Sequence, residues 1–164
     1  MSRPSREFSP VTRPGSCALL GPMKMTRIAL GFGVVLVAIQ LVPVARTNPP
    51  VEASVEAPPE VTAILRRACF DCHSNETVWP PQAYVAPVSW LVARDVKEGR
   101  EELNFSRWGP GQAKRTAKEL PVEVEKKDMP PFLYSLAHPG AKLSDADRAA
   151  LTAWARGLGA RGAR

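Results

Sequence analysis

Residues 68–80 read ACFDCHSNETVWP, and the meaning of Cys69, Cys72 and His73 within this stretch decides what kind of domain surrounds it. The run C-x-x-C-H is an attachment signature for c-type haem. Two thiols three residues apart on one turn can each add to a haem vinyl group. The next residue then points an imidazole at the iron. Other chemistries use the same residue types. A structural zinc site needs a fourth ligand, yet His138 is the only other histidine and there is no second cysteine pair. A thioredoxin-like redox pair wants a βαβ context, and a chance match is the remaining alternative. The rest of the chain has to discriminate between them.

Immediately upstream, Val61, Ile64, Leu65 and Ala68 recur at i, i+3, i+4 and i+7 after Pro59 and Glu60. That spacing predicts a helix with one apolar stripe, delivering the two cysteines at its C-terminal end. A second helix is expected from Pro87, a residue favoured in a first turn, through Trp90, Leu91, Val92 and Val96, with Gly99 as a stop. Trp108-Gly-Pro-Gly reads as a turn, followed by a polar helical piece around Gln112 to Leu120 with a break or new start at Pro121. Ser144 with Asp147 three residues later is a capping-box start. Ala150, Leu151, Trp154 and Leu158 then line one face of a last helix, which Gly157 and Gly159 should end. No stretch alternates as a strand does and none repeats. The expected fold class is all-α: a small, loop-rich helical domain over residues 60–160.

The 164 residues carry a formal charge of +6, and its location matters more than its size. Up to Ala45 there are five basic residues (Arg3, Arg6, Arg13, Lys24, Arg27) against Glu7 alone. From Arg46 onward seventeen basic residues meet fifteen acidic ones, so the domain is nearly balanced and nothing in it asks for nucleic acid. Three cysteines are too few for a disulfide scaffold, and Cys17 stands apart from the motif as a free, inert thiol. Seventeen prolines and about 100 domain residues leave a marginal core, which a large covalent cofactor would help to complete.

Residues 1–27 begin with a Pro-, Ser- and Arg-rich stretch, expected to be disordered and cytoplasmic. Ile28 to Ala45, IALGFGVVLVAIQLVPVA, is apolar but for Gln40. Eighteen helical residues would span about 27 Å, enough for a bilayer core. Positive charge before the run puts the N-terminus in the cytoplasm and everything after Arg46 on the periplasmic or extracellular side. The expectation is a transmembrane anchor or uncleaved signal. Cleavage after Ala45 would need a small residue where Pro43 stands, and a buried core helix would lack a polar face. Residues 46–59, rich in proline, form an extended spacer that should hold the domain off the surface.

Two residues compete for the iron's other face. Met129 precedes Pro130 and Pro131, which fix the backbone and remove amide donors, so the thioether can reach out from an extended loop. His138 opens a His-Pro-Gly turn. Methionine and histidine together would fill the iron's coordination and suit outer-sphere electron transfer. An open distal side would instead suit a haem enzyme or small-ligand sensor, peroxidase-like, though no second His or Arg is obviously placed as an acid-base group.

Several pieces together give a more specific pattern. They are ACFDCHSNETVWP, APVSWLVARDVKEGR with the following LNFS, MPP with Tyr134, the HPGAKLS turn and the Trp154 helix. From IQLVPVARTNPP nearly to the C-terminus, the chain resembles the bacterial haem-binding domain family with a C-x-x-C-H motif, related to c-type cytochromes. Where that family has an aromatic pair after Trp-Pro, this chain has Pro81 and Gln82. The resemblance implies a cytochrome-c-like fold and one covalent haem c through Cys69 and Cys72. It further implies His73 as proximal ligand and Met129 in the distal loop. It also makes Asn75, Trp79, Tyr84, Trp90, Asn104 and Trp108 candidates for haem-pocket or propionate contacts. The expected protein is a membrane-tethered electron carrier working with redox partner proteins, and not in the first place an enzyme.

Overall fold

The computed structural model describes residues 22–162; the stretch before them, which includes Cys17, and the last two residues lie outside the described residues. Seven α-helices occur among these residues, with no strand. They are α1 (Pro22–Gln40), α2 (Pro59–Ala68), α3 (Phe70–His73), α4 (Val88–Glu102), α5 (Pro110–Lys126), α6 (Phe132–Ala137) and α7 (Asp145–Gly162). The all-α expectation holds. Two units divide the chain, residues 1–38 and residues 39–164.

The first unit contributes most of α1. Its apolar side chains, Ile28, Leu30, Phe32 and Val37 among them, are exposed around the helix. Helix ends at Gln40, five residues before Ala45, because Pro43 cannot donate a helical hydrogen bond and pushes Val42 toward extended backbone. Among the described residues no helix is long and apolar enough to cross a membrane.

In the second unit the stripe on α2 does what its period requires: Val61, Ile64, Leu65 and Ala68 are all buried. They join Phe70, Phe105, Leu120, Val124, Leu143, Leu151 and Trp154 in one core. A column of stacked rings runs through it. Phe70 lies 5.6 Å from Phe105, Phe105 6.1 Å from Trp108, and Trp108 6.0 Å from Trp154, centroid to centroid. Each such pair adds about 0.5–1.5 kcal/mol to the burial of its rings.

Three elements run longer than local preference suggests. Helix α4 passes through Gly99 to Glu102, and α7 passes Gly157 and Gly159 to Gly162. Helix α5 continues through Pro121 to Lys126, with Leu120, Pro121 and Val124 buried. Helices α5 and α7 form the most extensive helix pair in the unit, and that packing overrides the hydrogen bond Pro121 forgoes. Helix α5 stops at Lys127, whose left-handed φ of 65° turns the chain out toward Met129.

The residues between α1 and α2 are extended, as their prolines require, but they lie along the domain. The amides of Glu52 and Ala53 both donate to Ser106 O, and that of Val55 to Phe105 O. In return Trp108 N donates to Ala53 O. Asn48 Nδ2 donates to Thr77 O and Asn75 Nδ2 to Pro50 O. The spacer is therefore a strap.

The capping box on α7 forms as expected. Ser144 N and Ser144 Oγ both donate to Asp147 Oδ2, at 2.8 and 2.7 Å, while Asp147 N donates back to Ser144 Oγ. Arg67 Nη2 reaches Asp147 Oδ1 at 2.6 Å from α2. This guanidinium first, then the Ser144 hydrogen bonds, hold the Asp147 carboxyl down to about 2. A carboxyl depressed on folding stabilises the fold fully above its unfolded value and ceases to do so as pH falls through the folded one. Asp147→Asn is expected to cost roughly 1–2 kcal/mol at neutral pH, after discounting for solvent screening. The gap to the parent should close as pH drops from about 4 toward 2, read from urea midpoints across that range.

Candidate haem site

The motif sits where two helices meet. Cys69 breaks the helical path between α2 and α3, with φ −126°. Cys72 and His73 then lie on the single turn of α3. Cys69 N donates to Leu65 O at 2.8 Å, and His73 N donates to Cys69 O at 2.8 Å, so the two short helices stay in register. Cys69 and Cys72 are both free thiols, partly exposed.

His73 is held on several sides. Its Nδ1 lies 2.8 Å from Gly99 O and 3.1 Å from Leu103 O, so Nδ1 carries the proton donated to α4's last carbonyls. Its own carbonyl accepts from Phe105 N at 2.7 Å, and its ring meets the Phe105 ring edge-on at 6.5 Å. That leaves Nε2 with its lone pair for a metal, the arrangement in which the second ring nitrogen sets the tautomer. Burial lowers the imidazole's pKa, against smaller opposing pulls from the Leu103 and Gly99 hydrogen bonds. Burial thus favours the neutral ring.

The closeness of α3 and α4 depends on Gly99. A Cβ there would fall 2.6 Å from Cys72 O and 3.0 Å from its carbonyl carbon. The glycine read as a helix stop is in fact the contact that lets α4 reach His73. Its signal in the sequence was a glycine in an otherwise charged helical segment, which marks close approach as readily as an end.

Asp71, between the cysteines, also binds the rest of the site together. Its Oδ1 accepts from Val78 N at 3.0 Å, and its Oδ2 accepts from Tyr134 Oη at 2.7 Å. Tyr134 belongs to α6, so the segment following Met129 is docked on the motif. Burial, then the Asp71 hydrogen bond, push the Tyr134 hydroxyl far up, and it stays a donor. Its role, like those of Asp71 and Gly99, was not visible from spacing.

The other candidates divide. Met129 lies in the loop beyond Lys127, 37% exposed, with its amide directed to Glu123 O. His138 stacks on Tyr134 at 4.5 Å, and its Nδ1 faces Tyr134 O, so it is engaged at the end of α6. Asn75 and Asn104 are buried in a network of their own, and Trp108 is sandwiched in the ring column. Tyr84 is exposed beneath the Arg46 guanidinium, and Trp90 is 37% exposed. Trp79 Nε1 is buried with no hydrogen-bond partner among the described residues.

The donor set fits a haem better than a metal ion alone. Among the described residues no three His, Cys, Asp or Glu side chains converge on a point, so a zinc cage is not formed. Burial first, then Cys72, pushes the Cys69 thiol up to about 12. Burial first, then Asp95 and Asp71, takes Cys72 to about 11. These are protonated thiols, unlike the activated thiolates of redox pairs. Two open concavities, of about 700 Å³ beside Pro58 and Trp154 and about 460 Å³ beside Arg107 and Arg115, are not lined by the motif. What α4 and α6 offer instead is exposed apolar surface, with Val88, Leu91, Leu133 and Leu136 uncovered and Phe132 77% exposed.

Comparison with known proteins agrees with this donor set. No curated protein and no solved structure matches the chain. The family model of the haem-binding domain matches residues 34–157, from within the apolar run to the last helix, and the chain belongs to the haem-binding domain family.

Proposed function

We propose that the protein carries one haem c, bound covalently through Cys69 and Cys72. In this reading His73 is the proximal iron ligand and Met129 the distal one, and the protein passes electrons to and from redox partner proteins. The observation that carries the reading is His73 itself. Its Nδ1 is bound to Gly99 O and Leu103 O, one residue after a pair of partly exposed thiols. When bound, haem supplies a one-electron couple whose potential methionine–histidine ligation raises.

The chain's own residues have distinct tasks. The Gly99 and Leu103 carbonyls orient the imidazole, and Asp71 ties α6 to the motif through Tyr134. Apolar side chains on α6 are available to keep water from a haem face. Pro130 and Pro131, directly after Met129, limit the backbone freedom of its loop.

The run Ile28–Ala45, with Lys24 and Arg27 before it, would attach the chain to the cytoplasmic membrane, leaving the domain on its periplasmic side. Support comes from the charge bias and from a helix whose exposed faces are apolar. Covalent attachment outside the cytoplasm prevents cofactor loss.

One preparation tests the site. The denatured wild-type protein should stain for haem on a gel, and the ferric holoprotein should show a methionine–iron charge-transfer band that disappears in Met129→Ala. A gel band without haem refutes covalent attachment. A high-spin ferric spectrum in the wild type refutes Met129 as ligand and favours an open-site haem enzyme or sensor.

A further inference from the structure

Within residues 39–164, the last residues of the apolar run are bonded to the domain. Gln40 Nε2 donates to Ala86 O at 3.2 Å, while Ala86 N donates to Gln40 Oε1 at 2.9 Å. A side-chain amide thus pairs both backbone groups of one residue, as a neighbouring strand would. Six residues on, Arg46 Nη1 donates to Ala83 O and its guanidinium covers the Tyr84 ring at 4.6 Å. Arg100 then grips the next two residues, donating to Thr47 O at 2.8 Å and to Asn48 Oδ1 at 2.9 Å. Its remaining bonds go to Ser74 O and Thr77 Oγ1.

These bonds set residues 40–42 beside residues 84–86, where Leu41, Val42 and Val85 present exposed apolar side chains next to Tyr84. Leu41 is 81% exposed, Tyr84 58% and Val85 56%, with Val42 beside them. Aliphatic residues together with a tyrosine and an arginine are what the boundary between lipid tails and headgroups takes up. The family match begins at residue 34, so this junction belongs to the domain and is no mere linker.

We propose that Leu41, Val42, Tyr84 and Val85 form a lipid-facing surface that seats the haem domain on the interfacial layer of the bilayer. The occupant is lipid because Leu41 continues directly from the apolar run, and the Gln40–Ala86 and Arg46–Ala83 bonds hold that stretch beside Val85. The inference rests on the membrane attachment proposed above. A bilayer therefore contacts the domain itself.

The test uses the full-length holoprotein in phosphatidylcholine vesicles. Val85→Cys in a Cys17→Ser background is labelled with bimane, Cys69 and Cys72 being taken up by haem. Brominated acyl chains quench a bimane lying within the shallow depth an interfacial group reaches, ~5–10 Å. Roughly half of the emission should be lost at position 85 in brominated relative to plain vesicles, with none lost from Lys118→Cys on the exposed face of α5. Equal emission at position 85, in a chain that floats with vesicles after a carbonate wash, overturns the docking surface alone. A chain released by the wash overturns the attachment as well.

Discussion

Gly99→Ala is expected to destabilise the domain by roughly 2–4 kcal/mol, although the same change within a helix ordinarily stabilises by about 1 kcal/mol. The reversal comes from what the new methyl would meet. Cys72 O at 2.6 Å and Cys72 C at 3.0 Å are backbone atoms and cannot swing aside as the end of a long side chain would. Helix α4 must back away from α3. As it does, the Nδ1 contacts of His73 to Gly99 O and Leu103 O lengthen, removing about 0.5–1.5 kcal/mol of net hydrogen bonding. Urea unfolding followed by helical circular dichroism reads the loss. Gly157→Ala is the matched control, since nothing lies within 4 Å of its Cβ position, and it should stabilise. If Gly99→Ala raised the midpoint as well, α3 and α4 would not be in the tight contact described.

Asn104→Leu should cost about as much, for a different reason. Asn104 is 4% exposed and joins two neighbours that have no access to water. Its Nδ2 donates to Asn75 Oδ1 at 2.9 Å, and its Oδ1 accepts from Ser106 N at 2.9 Å. Asn75 N in turn donates to Ser106 Oγ, while Asn75 Nδ2 reaches Pro50 O in the strap. Leucine matches the volume but leaves an acceptor and a donor stranded, at about 1–3 kcal/mol each. The expected total is roughly 2–5 kcal/mol. With Asn75 no longer oriented, residues 46–57 should become sensitive to limited proteolysis before the domain as a whole unfolds. Cleavage at the parental rate would show that Asn104 does not hold the strap through Asn75.

These two positions also show where reading the sequence stops. The stripe on α2 and the box at Ser144 and Asp147 were legible because their causes lie within one or two turns. Cys69, Cys72 and His73 were singled out by the spacing of a haem-attachment motif, and the structure places them together where α2 meets α3. Gly99, Gly157 and Pro121 were misread as ends, and at Gly99 and Pro121 the local preference for ending helices is outweighed by contacts made elsewhere in the chain. At Gly99 those contacts are with Cys72; at Pro121 they are the burial of α5 against α7. The strap failed in the same way. Its prolines specify extended backbone, but the partners of its amides are Phe105 and Ser106, some fifty residues on. Tyr134 and Asp71 are likewise joined only by folding.

The column of rings at Phe70, Phe105, Trp108 and Trp154 sets a condition on how the chain can be made. A ribosome delivers Phe70 early and Trp154 almost last. Until that final helix emerges, the aromatic wall beside the cysteine motif lacks its terminal ring, and α5 lacks its main neighbour. Contacts this far apart in sequence close late and slowly. In a chain ending after α5, Phe105 and Trp108 stack without Trp154, and docking of α7 completes the column.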